Sequence, residues 1–280
     1  MRQDLRLTFK KAIKSAHKHI HITMYALTDP LILKWLRHQN VETTLYFDPS
    51  AGHIDSSPHF QATALKAKGL MHKKILIIDD ALVFLGSANM TTSSLLLHDN
   101  LTIGFHSPPL AQFLQGNTPS PFFFQVGQNL AEIHLLPDKE GKALTRLIHE
   151  LDSAKKSISL SMFTLTHPLL IQSLISAKNR GVNVTLCIDF YAARGASKKA
   201  LSLLSQENIP ILLSRGQQLL HHKWALIDNQ TFILGSTNWT KAAFTKNQDC
   251  LLFLKELSSS QIAYLKKLWK ITTVESTCKS

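Results

Sequence analysis

Two histidines, His72 and His221, each open the same arrangement of residues: His-x-Lys-x4-Asp-x6-Gly-Ser-x-Asn. The first copy supplies His72, Lys74, Asp79, Ser87 and Asn89, and the second His221, Lys223, Asp228, Ser236 and Asn238. Residues two apart on a strand point from one face, so each histidine is expected to project with its lysine. The apolar run before each aspartate and the run leading to Gly-Ser-x-Asn read as a hairpin that returns the serine and asparagine to the same end. An imidazole, an ammonium, a hydroxyl and an amide gathered twice make a cationic, donor-rich pocket. Such a pocket suits a tetrahedral phosphate diester. A lone histidine near a strand is usually structural; a whole pattern written twice is not explained that way. Asp79 and Asp228, though part of the motif, are expected to brace the hairpins rather than touch substrate.

The elements that position these residues are themselves duplicated. AHKHIHITMYALTDPL from Ala16 to Leu31 matches AKKSISLSMFTLTHPL from Ala154 to Leu169 without a gap. VETTLYFD ending at Asp48 matches VNVTLCID ending at Asp189, and the two motif segments follow in the same order. The offset grows from 138 to 141 to 149 residues, placing insertions of three and then eight residues in the second copy. Runs such as Ile75 to Ile78 and Val182 to Ile188 are β-branched and nearly continuously apolar, as in a sheet covered on both faces. They alternate with helical stretches such as Pro168 to Asn179, which predicts layered α/β lobes.

The predicted organisation is an α/β, bilobal, pseudo-twofold duplication: a first lobe over 1–107, a junction over 108–130 and a second lobe over 131–280. The Phe122-Phe123-Phe124 run in the proline-rich junction is expected as a buried inter-lobe strand, with membrane contact as its alternative. Glu132 to Leu136 is an extra apolar segment with no counterpart in the first copy.

Lys and Arg outnumber Asp and Glu by 31 to 19, giving a net charge of +12. That balance favours polyanions, either nucleic acid or an anionic membrane surface. Candidate contributors are Lys10, Lys11, Lys14, Lys18, Lys198 and Lys199, whose simpler role is a solvated face. Three cysteines at wide spacings make no disulfide framework, and Cys187 and Cys250 are expected to pack as small hydrophobes. No apolar run approaches the ~20 residues of a membrane span. Met1 to Ile22 reads as a basic amphipathic helix with Leu5, Phe9, Ala12, Ile13 and Ala16 on one side, rather than a signal peptide. A start lying upstream could hold an export signal, so localisation is left open. Despite 14 histidines there is no His-Glu-x-x-His and no Cys-x-x-Cys, so no metal site is expected.

The doubled pattern resembles the signature of the phospholipase D superfamily, over roughly Ala16 to Leu254. The segment HHKWALIDNQTFILGSTNWT from His221 looks like the small nuclease-type and mitochondrial-type members. The resemblance implies two lobes, each a mixed sheet between helices, with one active site where they meet. It also implies that one histidine attacks phosphorus to form a phosphohistidine while the other protonates the departing oxygen and then activates water. On that reading His72 is the nucleophile and His221 the acid and base. Lys74, Lys223, Asn89 and Asn238, with Ser87 and Ser236, hold the phosphate, and no metal or cofactor is required. Family members place an acidic residue after each Gly-Ser-x-Asn to orient a histidine. Here Asp249 stands 28 residues after His221, whereas the matching position after His72 is Asn100, with Asp99 one residue out of register. The implied function is phospholipase D-type hydrolysis of phospholipid head groups by a monomer with no obligate protein partner. The alternatives are a metal-independent endonuclease, a phosphatidyltransferase, or a basic nucleic-acid-binding protein without catalysis.

Overall fold

In the computed structural model, which describes residues 4–116, 121–215, 218–274 and 276–278, the first half contains six strands. These are β1 (His19–Met24), β2 (Glu42–Phe47), β3 (Phe60–Ala64), β4 (Lys74–Ile78), β5 (Leu82–Gly86) and β6 (Thr102–His106), in the spatial order β3-β2-β1-β4-β5-β6. β1, β2 and β3 run parallel, β4 pairs antiparallel with β1, and β4, β5 and β6 form an antiparallel meander. Helices α1 (Leu5–Lys14), α2 (Pro30–Arg37), α3 (Thr92–Leu96) and α4 (Pro108–Gly116) complete this half. Asp4 caps α1 by accepting from the Leu7 amide, and Asp29 caps α2 ahead of its proline.

The second half repeats the plan with additions. After β7 (Phe122–Val126) and β8 (Asn129–Leu136) come α5 (Lys142–Ser153), β9 (Ser157–Met162), α6 (Pro168–Asn179) and β10 (Asn183–Ile188). Then follow α7 (Phe190–Arg194), α8 (Lys198–Gln206), β11 (Ile211–Ser214), β12 (Lys223–Ile227), β13 (Thr231–Gly235), α9 (Lys241–Thr245), β14 (Asp249–Lys255), α10 (Ser259–Val274) and β15 (Ser276–Cys278). The nine-stranded sheet runs β15-β11-β10-β9-β12-β13-β14-β8-β7, so its inner six strands repeat the order of the first sheet. The extra segment Glu132 to Leu136 lies in β8, paired antiparallel to β14 where the first sheet has no further strand. The larger insertion holds α7 and α8, in place of the three-residue turn Pro49–Ala51.

Two expectations are corrected. The basic helix read over 1–22 ends at Lys14, and an alternating His-Ile-His-Ile run enters β1 instead, burying Ile20, Ile22 and Met24. The phenylalanine run is the edge strand β7 of the second sheet rather than a buried inter-lobe strand: Phe123 is 67% exposed, while Phe122 and Phe124 are half-buried.

The two sheets pack through a shared apolar core. Ile75 and Ile77 of β4 and Val83 and Leu85 of β5 meet Trp224 and Leu226 of β12, Phe232 and Leu234 of β13, and β8 and β14. Each sheet's other face is covered by its own helices, which is why β4 and β12 are buried along their whole length. A strand inaccessible from both sides has little freedom to shift, so the residues just before it are held firmly.

Candidate active site

The motif aspartates explain the two hairpins. Asp79 and Asp80, and likewise Asp228 and Asn229, adopt left-handed backbone angles in tight turns closed by Ala81 N–H to Ile78 O and Gln230 N–H to Ile227 O. Asp and Asn tolerate that conformation better than most residues. The Asp79 carboxylate also accepts the backbone N–H groups of His17, Lys18 and His19, and Asp228 accepts those of Lys155, Lys156 and Ser157. Those bonds hold both carboxyls below their usual range despite partial burial. They lie at the end of β4 and β12 away from the histidines, where they fasten the chain entering β1 and β9.

At the other end, His72 and His221 precede β4 and β12 by two residues and are buried. Lys74 Nζ donates to the His72 carbonyl at 2.6 Å, and Lys223 Nζ to the His221 carbonyl at 2.9 Å. Each ammonium also lies over an aromatic ring, Lys74 at 5.2 Å from Tyr25 and Lys223 at 5.1 Å from Phe163. The same rings lean on His72 and His221, with centroids 5.5 and 5.2 Å away.

The orienting groups cross between the halves. His72 Nδ1 lies 2.8 Å from Asp249 Oδ1, and His221 Nδ1 lies 3.0 Å from Asn100 Oδ1. Main-chain bridges make the crossing possible. His72 N–H donates to Gln248 O and Gln248 N–H to Leu70 O, while His221 N–H donates to Asp99 O and Asp99 N–H to Leu219 O. Each histidine thus enters its site on a short two-chain ladder with the opposite half.

Ser87 and Ser236, expected to hold the phosphate, point instead at the orienting residues. Both are buried, and Ser87 Oγ donates to Asn100 Oδ1 at 2.9 Å while Ser236 Oγ donates to Asp249 Oδ1 at 2.6 Å. They brace the orienting side chains. The glycine before each serine is needed because a Cβ on Gly86 or Gly235 would meet the carbonyl oxygen of Leu101 or Cys250 at 2.1 Å. Asn89 and Asn238 are half-buried, and each has a buried Oδ1 without a hydrogen-bond partner.

Sequence reading passed over Asp48 and Asp189, although both matched segments end on them. Asp48 Oδ2 accepts the Met71 N–H at 2.7 Å and Asp189 Oδ2 the Leu220 N–H at 3.1 Å, immediately before the two histidines.

Electrostatically the pocket is crowded with cations. Burial pushes Lys74 down to about 7, against the pull of Asp249, and burial together with Lys74 pushes Lys223 well below its ordinary range. Burial and Lys74 lower His72, opposed by Asp249. Burial, Lys223, Lys74, His72 and His98 all lower His221. A pocket holding more cationic groups than it can charge in isolation is poised to take up an anion. Among the described residues, no group of three or more His, Cys, Asp or Glu side chains is placed to hold a metal ion. No helix among them is long and apolar enough to cross a membrane.

The family described as "Cardiolipin synthase, PLD-like domain" matches residues 9–117 and again 147–269. The mitochondrial cardiolipin hydrolase of Mus musculus is 31% identical over 122 residues, covering 43% of this chain and 54% of the relative. The chain spans about half the length of the curated relatives it matches. Among solved structures, the phospholipase D family member Nuc from Salmonella typhimurium aligns with a TM-score of 0.51 at 28% identity, covering 54% of this chain and 99% of that one. Phosphatidylserine synthase from Haemophilus influenzae aligns with a TM-score of 0.75 over 98% of this chain and 85% of its own, at 11% identity, a likeness of fold.

Proposed function

The chain belongs to the family of phospholipase D-like domains, and from that premise we propose that it hydrolyses phosphodiesters of phospholipid head groups through a phosphohistidine. The observation that carries this reading is the crossed pair of contacts, His72 to Asp249 and His221 to Asn100, between two buried His-Lys units. Each Nδ1 faces an acceptor, so a neutral imidazole keeps its proton there and turns the Nε2 lone pair away from its orienting group. His72 is the nucleophile on this reading, because a phosphohistidine carries positive charge and Asp249 is the carboxylate beside it. His221 protonates the departing oxygen and then draws a proton from the water that releases the phosphate. Lys74, Lys223, Asn89 and Asn238 hold the non-bridging oxygens. The negative charge of the diester offsets the mutual repulsion of the lysines, so binding favours their charged forms.

A lipid substrate is favoured by apolar side chains on the segments that enter the site. Leu70 is 38% exposed two residues before His72. Leu97 is 58% exposed beside His98, whose ring centroid is 6.2 Å from that of His221. Tyr191 is 60% exposed two residues after Asp189. The net charge of +12 supports a second reading, an endonuclease acting on a polyanion. The test is to incubate the purified protein, with EDTA present, with cardiolipin vesicles, phosphatidylcholine vesicles, and single- and double-stranded DNA. Released lipid products support the first reading, DNA fragments alone support the second, and neither product sinks both.

A further inference from the structure

Asn100 and Asp249 occupy matching places, 28 residues after His72 and His221, but a hydroxyl beside Asn100 has no counterpart beside Asp249. Ser94 on α3 corresponds to Ala243 on α9; each donates its backbone N–H to the capping threonine, Thr91 or Thr240. Asn100 Nδ2 lies 2.8 Å from the Ser94 carbonyl oxygen and 3.1 Å from Ser94 Oγ. A carbonyl only accepts, so the NH2 end of the amide must face it. Oδ1 is thereby turned to Ser87 Oγ at 2.9 Å and to His221 Nδ1 at 3.0 Å. An amide oxygen also only accepts, so His221 must carry a proton on Nδ1. In the other half, Ala243 offers no hydroxyl. Asp249 Oδ1 accepts from Ser236 Oγ and faces His72 Nδ1, and its Oδ2 has no hydrogen-bond partner. His72 therefore faces a full negative charge, and His221 a neutral dipole.

We propose that Ser94 and Asn100 are a positioning pair that fixes His221 as its Nδ1–H form while denying it a counter-charge, so that the proton shared by the two imidazoles rests on His72 and visits His221 only in passing to the departing oxygen. The chemical half of this proposal rests on the phosphodiesterase reading above. In the first step the proton on His72 Nε2 passes to His221 Nε2, and the lone pair it leaves on His72 forms the bond to phosphorus. The bond from phosphorus to the departing oxygen breaks with its electron pair on oxygen, and the Nε2 proton of His221 moves to that oxygen. In the singly protonated pair positive charge then sits on His72 beside Asp249, as it does in the covalent intermediate, and a cationic His221 is short-lived and strongly acidic. The groups acting on His221 agree with this. Lys223, Lys74, His72 and His98 all disfavour its protonation, the Phe163 ring packs on it, and the nearby Asp189 acts on His98 and Lys223.

The sign follows from one active proton on a coupled pair. Activity falls at low pH as the second proton enters, mainly on His221, and at high pH as the first leaves, mainly from His72. A carboxylate at position 100 raises the proton affinity of His221, so it moves the acid-side limb upward and leaves the alkaline limb nearly in place.

Histidine-selective 15N NMR of the unmodified protein should show His221 protonated on Nδ1, with Nε2 bare, at pH values where His72 is already charged. An Nε2–H form, or His221 titrating above His72, overturns the proposal. The double variant Ser94→Ala/Asn100→Asp copies the pair Ala243 and Asp249 and should shift the acid-side limb of kcat/KM up by about 1 pH unit or more. Asn100→Ala should lower activity with no such shift, and an active double variant with an unmoved limb also overturns the proposal. The NMR readouts require no turnover. Loss of activity on every phosphodiester would count against the proposed function, and a correct tautomer and titration order would still support the positioning pair.

Discussion

Asp249 belongs to the second lobe and His72 to the first, and their side chains meet at 2.8 Å in a buried contact. Asp249→Asn preserves the shape and removes the charge. Replacing the carboxylate that orients a catalytic histidine by its amide costs up to about 10^4-fold in turnover. The alkaline limb of the pH profile should also move down, since His72 loses the group that raises its proton affinity. A pH series of kcat/KM checks both effects.

His72→Asn and His221→Asn should each nearly abolish turnover, and the double variant should be no worse than either single one, because the imidazoles act as a unit. Acid quenching during turnover, followed by peptide mass spectrometry, should find the covalent adduct on His72. An adduct on His221 alone would reverse the assigned roles.

Lys74 is held down to about 7 by burial. On the proposed function its charged form grips a phosphate oxygen, so affinity for a non-hydrolysable phosphonate diester should weaken as pH rises through that value, by up to about tenfold per pH unit. Below it Lys74 is already charged, and affinity should level off as far as this group is concerned. Calorimetry in two buffers of different ionisation enthalpy should record proton uptake on binding at pH 8.

Asp79→Ala removes the acceptor for the amides of His17, Lys18 and His19. Hydrogen bonds to a charged group contribute roughly 2 kcal/mol, so the melting temperature should fall while kcat of the folded fraction changes little. The folded pKa is depressed, so the stabilisation is present above the unfolded carboxylate value and is lost as pH falls through the folded one. The stability gap between wild type and variant should therefore narrow in acid.

Leu97→Ser combined with Tyr191→Ser should reduce hydrolysis of lipid in vesicles and leave hydrolysis of a small soluble diester, bis(p-nitrophenyl) phosphate, near wild type. Equal losses on both substrates would remove these side chains from lipid recognition.

The doubled motif and the gapped repeat made the two sheets and the histidine–lysine units legible in the residues alone, because strand periodicity and turn chemistry are local. The spacing of 28 also singled out positions 100 and 249. Which histidine each one serves was not legible, since that depends on how the lobes face each other, and no run of residues encodes it. The contacts of Ser87 and Ser236 with Asn100 and Asp249 were not legible either, because a hydroxyl beside a phosphate site and a hydroxyl holding its supports look the same in a motif. Asp48 and Asp189 stood at the end of a matched segment, a signal that was present and unused. The phenylalanine run failed for another reason: an edge strand and an inter-lobe strand have the same composition.

The reciprocal ladders at His72 and His221 also bear on ancestry. Two identical single-lobe chains paired about a twofold axis could form such a site, but any change near one histidine would appear at the other. Joining the copies in one polypeptide breaks that symmetry. Asn100 in one half and Asp249 at the matching place in the other are a difference that a homodimer of one gene could not encode.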